Sequence, residues 1–376
     1  MRRGAFFSCP LPHDPCWESM SNHPANSVMP RGVAHTAVLV IQLGTPDEPT
    51  PPALRRFLRQ FLNDPRVIET PTVWQRLCWQ LILNLFVLPT RPARSVEKYR
   101  RIWDRQTGSP LLHLTQRQTE GLQELMPGIP VRFGMQVGNP SVASVVHDLI
   151  KQGVDRLIVL PMYPQYSATT TASAMDSLFQ ALLRERQVPA LRVVPAYYAH
   201  SAYLDAVATI IRDELGRLPW SPDHFLLSFH GIPVEYARRG DPYATHVKRT
   251  TLALVQRLGW RHGLWTQSFQ SLFGRARWLK PYTAETLLRL AGRGIKRVFV
   301  AMPGFTTDCL ETLDEIGLEA REQFCRAGGE DLHCCPCLND HPAWIRAMHT
   351  IVQEEGQGWL PESDQRSAVS PAGSDC

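Results

Sequence analysis

Eight uninterrupted apolar runs, each the length of one strand and separated by helix-length stretches, constrain this chain more than any other feature. They are AVLVIQL (37–43), VRFGMQV (131–137), RLIVLPM (156–162), LRVVPAY (191–197), HFLLSFH (224–230), GLWTQSF (263–269), RVFVAMP (297–303) and LHCCPCL (332–338). A strand that is apolar on both faces must be covered on both faces, which is the condition of a parallel sheet flanked by helices. The expected class is therefore α/β, with doubly wound parallel sheets.

The two halves echo one another. Gly153–Val159 (GVDRLIV) matches Gly294–Val300 (GIKRVFV), and Leu43–Pro46 (LGTP) matches His230–Pro233 (HGIP) in the same order. Such a repeat predicts two similar βα domains facing each other across a cleft. Ligands of open parallel sheets bind beyond the carboxyl ends of the strands, so the loops after residues 43, 137, 162, 230, 269 and 303 should ring one crevice. The expected boundaries are a disordered leader at 1–34, domains at 35–198 and 199–338, a helix at 339–357 and a disordered tail at 358–376.

Composition removes several function classes. With 40 Lys and Arg against 35 Asp and Glu, the net charge of +5 carries no nucleic-acid footprint. Nine cysteines form no even framework, so a reducing cytoplasm fits better than a disulfide-stapled secreted protein. Pro10, Pro12, His13, Asp14 and Pro15 interrupt any signal-peptide core. Neither a Gly-x-Gly-x-x-Gly nor a Walker-type loop opens a helix, so no nucleotide cofactor is expected. The most apolar window, 73–89, contains Gln75, Arg76, Gln80 and Asn84 and falls short of the about 20 residues that span a bilayer. It reads either as an amphipathic helix on the core or as an apolar lip at a lipid-facing site.

The crevice loops carry the chemistry. Residues 161–171 (PMYPQYSATTT) set Tyr163 and Tyr166 beside Ser167, a combination that suits either helix capping or a flat aromatic ligand with acidic edges. His230 ends a strand just before a glycine, where a near-neutral pKa suits a proton acceptor or metal ligand. Glu311, Glu315 and Glu319 recur every four residues, so an α-helix would place three carboxylates on one face. That row is either a solvated face or a track for divalent cations or protons.

Taken together, LGTP, PMYPQYS, LSFHGIP with GDPY, WTQSFQSLFGRARWLKPYT and PGFTTDCLETLDEI resemble the ferrochelatase family over residues 36–347, most closely the proteobacterial kind. The resemblance implies two Rossmann-like domains with four-stranded parallel sheets around a porphyrin cleft. It implies a cytoplasmic enzyme, a lyase that inserts ferrous iron into protoporphyrin IX to form protoheme. His230 would take pyrrole protons or ligate iron, Glu311 would face it across the ring, and Glu315 and Glu319 would continue an acidic track. Arg91, Tyr163, Tyr166 and Ser167 would contact the porphyrin, and residues 73–88 would form a lip touching the membrane peripherally. Val137 and Ala172 depart from the family pattern, where tyrosine and glycine are common. Some members hold a 2Fe–2S cluster, for which Cys325, Cys334, Cys335 and Cys337 are the candidates here, although Ala168 occupies the place of a distant ligand. Coproporphyrin chelatases, other metal chelatases of the same fold and a non-catalytic heme or porphyrin carrier are the rival readings. A carrier has no need of His230 together with the acid row.

Overall fold

The structure is a computed structural model that describes residues 35–361 apart from Phe273 and Arg275. The leader expected at 1–34 and most of the tail expected at 358–376 lie outside the described residues. Trp359 and Leu360 are packed, however: the Trp359 ring lies 4.3 Å from the Arg192 guanidinium, and Leu360 is buried.

Eight strands form two four-stranded parallel sheets. The first comprises β1 (Thr36–Gly44), β2 (Val131–Val137), β3 (Arg156–Pro161) and β4 (Ala190–Val193) in the order β2-β1-β3-β4. The second comprises β5 (His224–His230), β6 (Trp265–Gln270), β7 (Arg297–Ala301) and β8 (Asp331–Cys334) in the equivalent order β6-β5-β7-β8. Each half thus starts at a central strand, steps to one edge and crosses back to the other side, which creates a switch point.

Strand alternation explains the uninterrupted apolar runs. Val38 and Val40 of β1 point into a central core shared with Leu227 and Phe229 of β5, while Ala37, Leu39 and Ile41 point the other way into a separate outer core. The second sheet divides likewise, with Leu226, Val298 and Val300 in its own outer core. The last runs are shorter strands than their apolar length predicts, because β4 stops at Val193 and β8 at Cys334.

Helices α1 (Pro51–Leu62), α2 (Val73–Ile82) and α3 (Leu88–Ile102) lie between β1 and β2. Thr72 and Gln75 form a capping box that starts α2. One π-turn, Leu83–Val87, joins α2 to α3, so the chain stays helical from 73 to 102. The acid row also departs from expectation: Glu311–Ala320 is a π-helix rather than an α-helix. Its approach is held by side chains, since the Thr312 hydroxyl donates to Asp308 at 2.8 Å and accepts the Cys309 N–H at 3.0 Å.

Gly44 closes β1 at a φ of +106°, and a Cβ there would sit 1.8 Å from the Val137 carbonyl oxygen. Gly44→Ala is expected to destabilise the fold by about 3 kcal/mol, as strain and overlap combine. Urea unfolding followed by tryptophan fluorescence measures it; an unchanged midpoint would refute this account of the β1–β2 contact.

Candidate active site

The carboxyl end of β5 presents His230. Its Nδ1 lies 2.6 Å from the Gly231 carbonyl, which can only accept, so the proton is assigned to Nδ1 and Nε2 is left with a lone pair. The half-buried ring lies between Trp278 and Phe305, at centroid distances of 6.3 and 6.5 Å. Tyr243 of the GDPY turn donates to the His230 carbonyl at 2.9 Å and fixes the strand end. Gly231 is needed there because a Cβ would meet the Trp278 ring at 3.1 Å and the Gln270 carbonyl at 3.2 Å.

The π-helix supplies the acids. Glu315 accepts two bonds from Ser271, from the backbone N–H at 2.7 Å and from the hydroxyl at 2.6 Å. Burial pushes the Glu315 carboxyl up, the Ser271 bonds and His230 pull it down, and Glu311 pushes it up again, leaving it above its ordinary value. His230, Glu311 and Glu315 therefore share one electrostatic neighbourhood. Ser271 achieves this grip with φ at +63°, a left-handed conformation uncommon for a residue with a side chain. Its neighbour Gln270 donates to the Glu311 carbonyl at 2.8 Å, so the end of β6 clamps the π-helix at both acids.

Glu319 does not join them. Glu319 instead meets Lys98 at 2.8 Å and Arg101 at 3.0 Å, both on α3. Burial raises its carboxyl, but bonds from these two cations outweigh it and hold it below the usual value. Arg101 also pairs with buried Asp314 at 2.8 Å. Among the described residues no three His, Cys, Asp or Glu side chains converge as a ready metal-ligating group, so the expected ligand set His230, Glu311, Glu315 and Glu319 is not gathered around one point.

The expected porphyrin contacts divide as well. Tyr166 is half-buried in the loop after β3, and Arg91 is exposed on α3. Tyr163 donates its hydroxyl to Gln136. Ser167 is fully buried and donates to Asp241 at 2.8 Å, which ties the PQYS loop to the GDPY turn and removes its hydroxyl from the crevice. The four cysteines are not brought together either. Cys335 lies in the central core, Cys334 packs against the outer core of the second sheet, and Cys325 donates to the Glu330 carbonyl. Burial pushes the thiols of Cys334, Cys335 and Cys337 up.

One residue beside the acids, Tyr99, escaped the sequence reading, whereas Cys309 was expected next to Glu311. Tyr99 on α3 is raised by burial and by the charges of Glu311 and Cys309, which sets a protonated phenol beside the acids. Cys309 is buried, and burial and the charge of Glu311 push its thiol up. The available signal was the basic and aromatic run Lys98–Arg101 (KYRR), complementary in charge to an acid row more than 200 residues away.

In fold this chain resembles SirB from Bacillus subtilis with Fe3+, at a TM-score of 0.51 and 14% identity, covering 86% of this chain and 96% of that one. A sirohydrochlorin chelatase SirB from Bacillus subtilis subspecies spizizenii in complex with cobalt gives 0.50 at 12% identity, covering 85% and 95%. Paired four-stranded sheets with a crevice between their strand ends thus define a two-domain chelatase fold. The Ferrochelatase family profile matches residues 35–356. A ferrochelatase of Mesorhizobium japonicum is 44% identical over 335 residues, covering 88% of this chain and 94% of its own. One from Brucella ovis is 45% identical over 327 residues, covering 86% and 92%. The chain belongs to the ferrochelatase family.

The Ser271 hydroxyl stabilises the charged form of Glu315, so removing it favours the protonated form. Ser271→Ala should raise the Glu315 pKa, because the lost hydrogen bond favoured the charged form. Carboxyl 13C chemical shifts followed against pH would show it; a fall or no change would contradict the clamp.

Proposed function

We propose that this chain inserts ferrous iron into protoporphyrin IX to form protoheme, the closing step of heme synthesis. Family membership across both sheets carries the reading, and the electrostatic neighbourhood shared by His230, Glu311 and Glu315 supports it. The two halves act as domains 35–198 and 199–338, with 339–357 as a closing helix.

Iron insertion releases two pyrrole N–H protons for each Fe2+ that enters, so charge is conserved only if a base removes them. In the proposal, Nε2 of His230 accepts protons at one ring face and passes them to solvent. Glu311 presents the metal at the other face, so cation and proton do not collide. Glu315, held by Ser271, is a fixed charge behind Glu311. Tyr166 and Arg91 serve as porphyrin contacts; Ser167 and Glu319 act indirectly, the first by joining loops and the second by anchoring α3. The cysteines are given no cluster-binding role.

The lip contributes access. Val73, Trp74, Leu77, Leu81, Ile82, Leu85 and Phe86 are all at least 46% exposed, a large apolar patch for a water-soluble surface. No helix among the described residues is long and apolar enough to cross a membrane. The proposal makes the patch a peripheral membrane contact through which a greasy substrate enters and product leaves.

His230→Ala should lower the insertion rate about a thousandfold and Glu311→Gln about a hundredfold, with porphyrin affinity nearly unchanged. Anaerobic zinc and iron insertion assays run side by side on protoporphyrin and coproporphyrin, with porphyrin fluorescence titration, measure both effects. Near-normal turnover in both variants would overturn the assigned roles, and a preference for coproporphyrin would replace the substrate.

A further inference from the structure

Beside the lip, α1 carries a surface cavity of about 300 Å³ lined by Arg55, Arg56, Arg59, Gln60 and Asn63. No carboxylate lines it. Arg56 is paired with Asp47 at 3.3 Å, whereas neither Arg55 nor Arg59 has an acidic partner among the described residues. Arg59 reaches only the neutral amide of Asn84, at 3.5 Å, on the π-turn of the lip. Unneutralised guanidiniums around a wet concavity suit a bidentate oxyanion, above all a phosphate.

The position of the cavity selects the source of that phosphate. The polar side of α2 rests on α1: Trp79 Nε1 donates to the Leu62 carbonyl at 2.9 Å, and Gln80 donates to Asn63. Trp74, Leu77, Leu81 and Leu85 are left exposed on the side turned away from that contact. The same short segment thus carries an apolar stripe and, on its flank, a rim of free positive charge. An anionic phospholipid surface offers the complementary pair, acyl chains for the stripe and headgroup phosphates for the arginines.

We infer that the α1 cavity is a headgroup site for anionic phospholipid, in which Arg55 and Arg59 hold the phosphodiester while the lip enters the interface. The inference rests on the membrane contact proposed above and adds a lipid preference to it.

Vesicle sedimentation of the full chain tests it, comparing pure phosphatidylcholine with the same lipid containing about one quarter phosphatidylglycerol. Each arginine near a charged surface contributes about a fivefold gain, so the Arg55→Gln/Arg59→Gln double variant should bind anionic vesicles about 30-fold more weakly than wild type. On neutral vesicles the two proteins should bind alike. Insertion activity in detergent micelles should be the same for both, and Arg55→Lys/Arg59→Lys should restore part of the binding. Equal binding of wild type to both vesicle types, or an unaffected double variant, would overturn the headgroup site and leave the lip contact standing. Loss of all vesicle binding in wild type would overturn the lip contact itself. Inorganic phosphate that saturates the arginines without displacing the protein from vesicles would assign the cavity to a free anion and refute headgroup docking.

Discussion

A buried seam of amides and hydroxyls between the two sheets is the interaction on which the crevice depends. Gln42, at the end of β1, donates to Thr307 at 3.2 Å, and Thr307 donates to Gln118 at 3.1 Å. Gln118 then donates to the Thr306 and Asn339 carbonyls at 2.9 and 2.8 Å. Asn339 donates in turn to Asp308 at 2.7 Å, three residues before Glu311. All members but the half-buried Asn339 are shielded from water, so an unmade bond among them would cost the full desolvation of its group. The seam accordingly fixes the loop that launches the π-helix against a strand of the opposite sheet. The position of Glu311 is inherited from both halves.

Much of this was legible in the residues, and the reason is physical. A doubly covered parallel strand is mostly apolar on both faces, so β-rich runs of strand length announced the strands. The carboxyl-end rule then put the loop of His230 in the crevice without any knowledge of packing. What stayed hidden depends on distant partners. A four-residue acid spacing fits an α-helix and a π-helix alike, and only the Thr312, Asp308 and Cys309 contacts distinguish them. Ser167 reads as a free hydroxyl until Asp241, 74 residues later, is seen to accept from it. The separation of Cys334 and Cys335 was legible, by contrast, since alternation in a strand sends neighbouring side chains to opposite faces and here into different cores.

The acid row is divided by charge into two working parts. Toward α3, Asp314 and Glu319 are met by Lys98 and Arg101, and this four-charge cluster ties the π-helix to the helix that follows the lip. Toward the crevice, Glu311 and Glu315 have no Lys or Arg partner among the described residues; Ser271 holds the Glu315 carboxylate with two donors, and Gln270 fixes the backbone of Glu311 through its carbonyl. The distinction matters for a transiting cation. A carboxylate already neutralised by lysine or arginine attracts a divalent ion poorly, whereas one held by dipolar donors has no cation to displace.

The same helical stretch from 73 to 102 links these parts to the surface. At its start the exposed stripe stands beside the arginine cavity of α1, and at its end Lys98 and Arg101 grip the acid-bearing π-helix. An apolar substrate leaving a bilayer and a hydrated cation arriving from water need opposite surroundings, and one continuous element faces both. Tethering that element through ion pairs rather than through apolar packing keeps the lip free of the central core. Among its apolar residues only the inward-facing members, such as Leu83 and Leu88, are buried, in a small cluster of their own. The lip can therefore stay greasy on its outer side without competing with the core that holds the two sheets together.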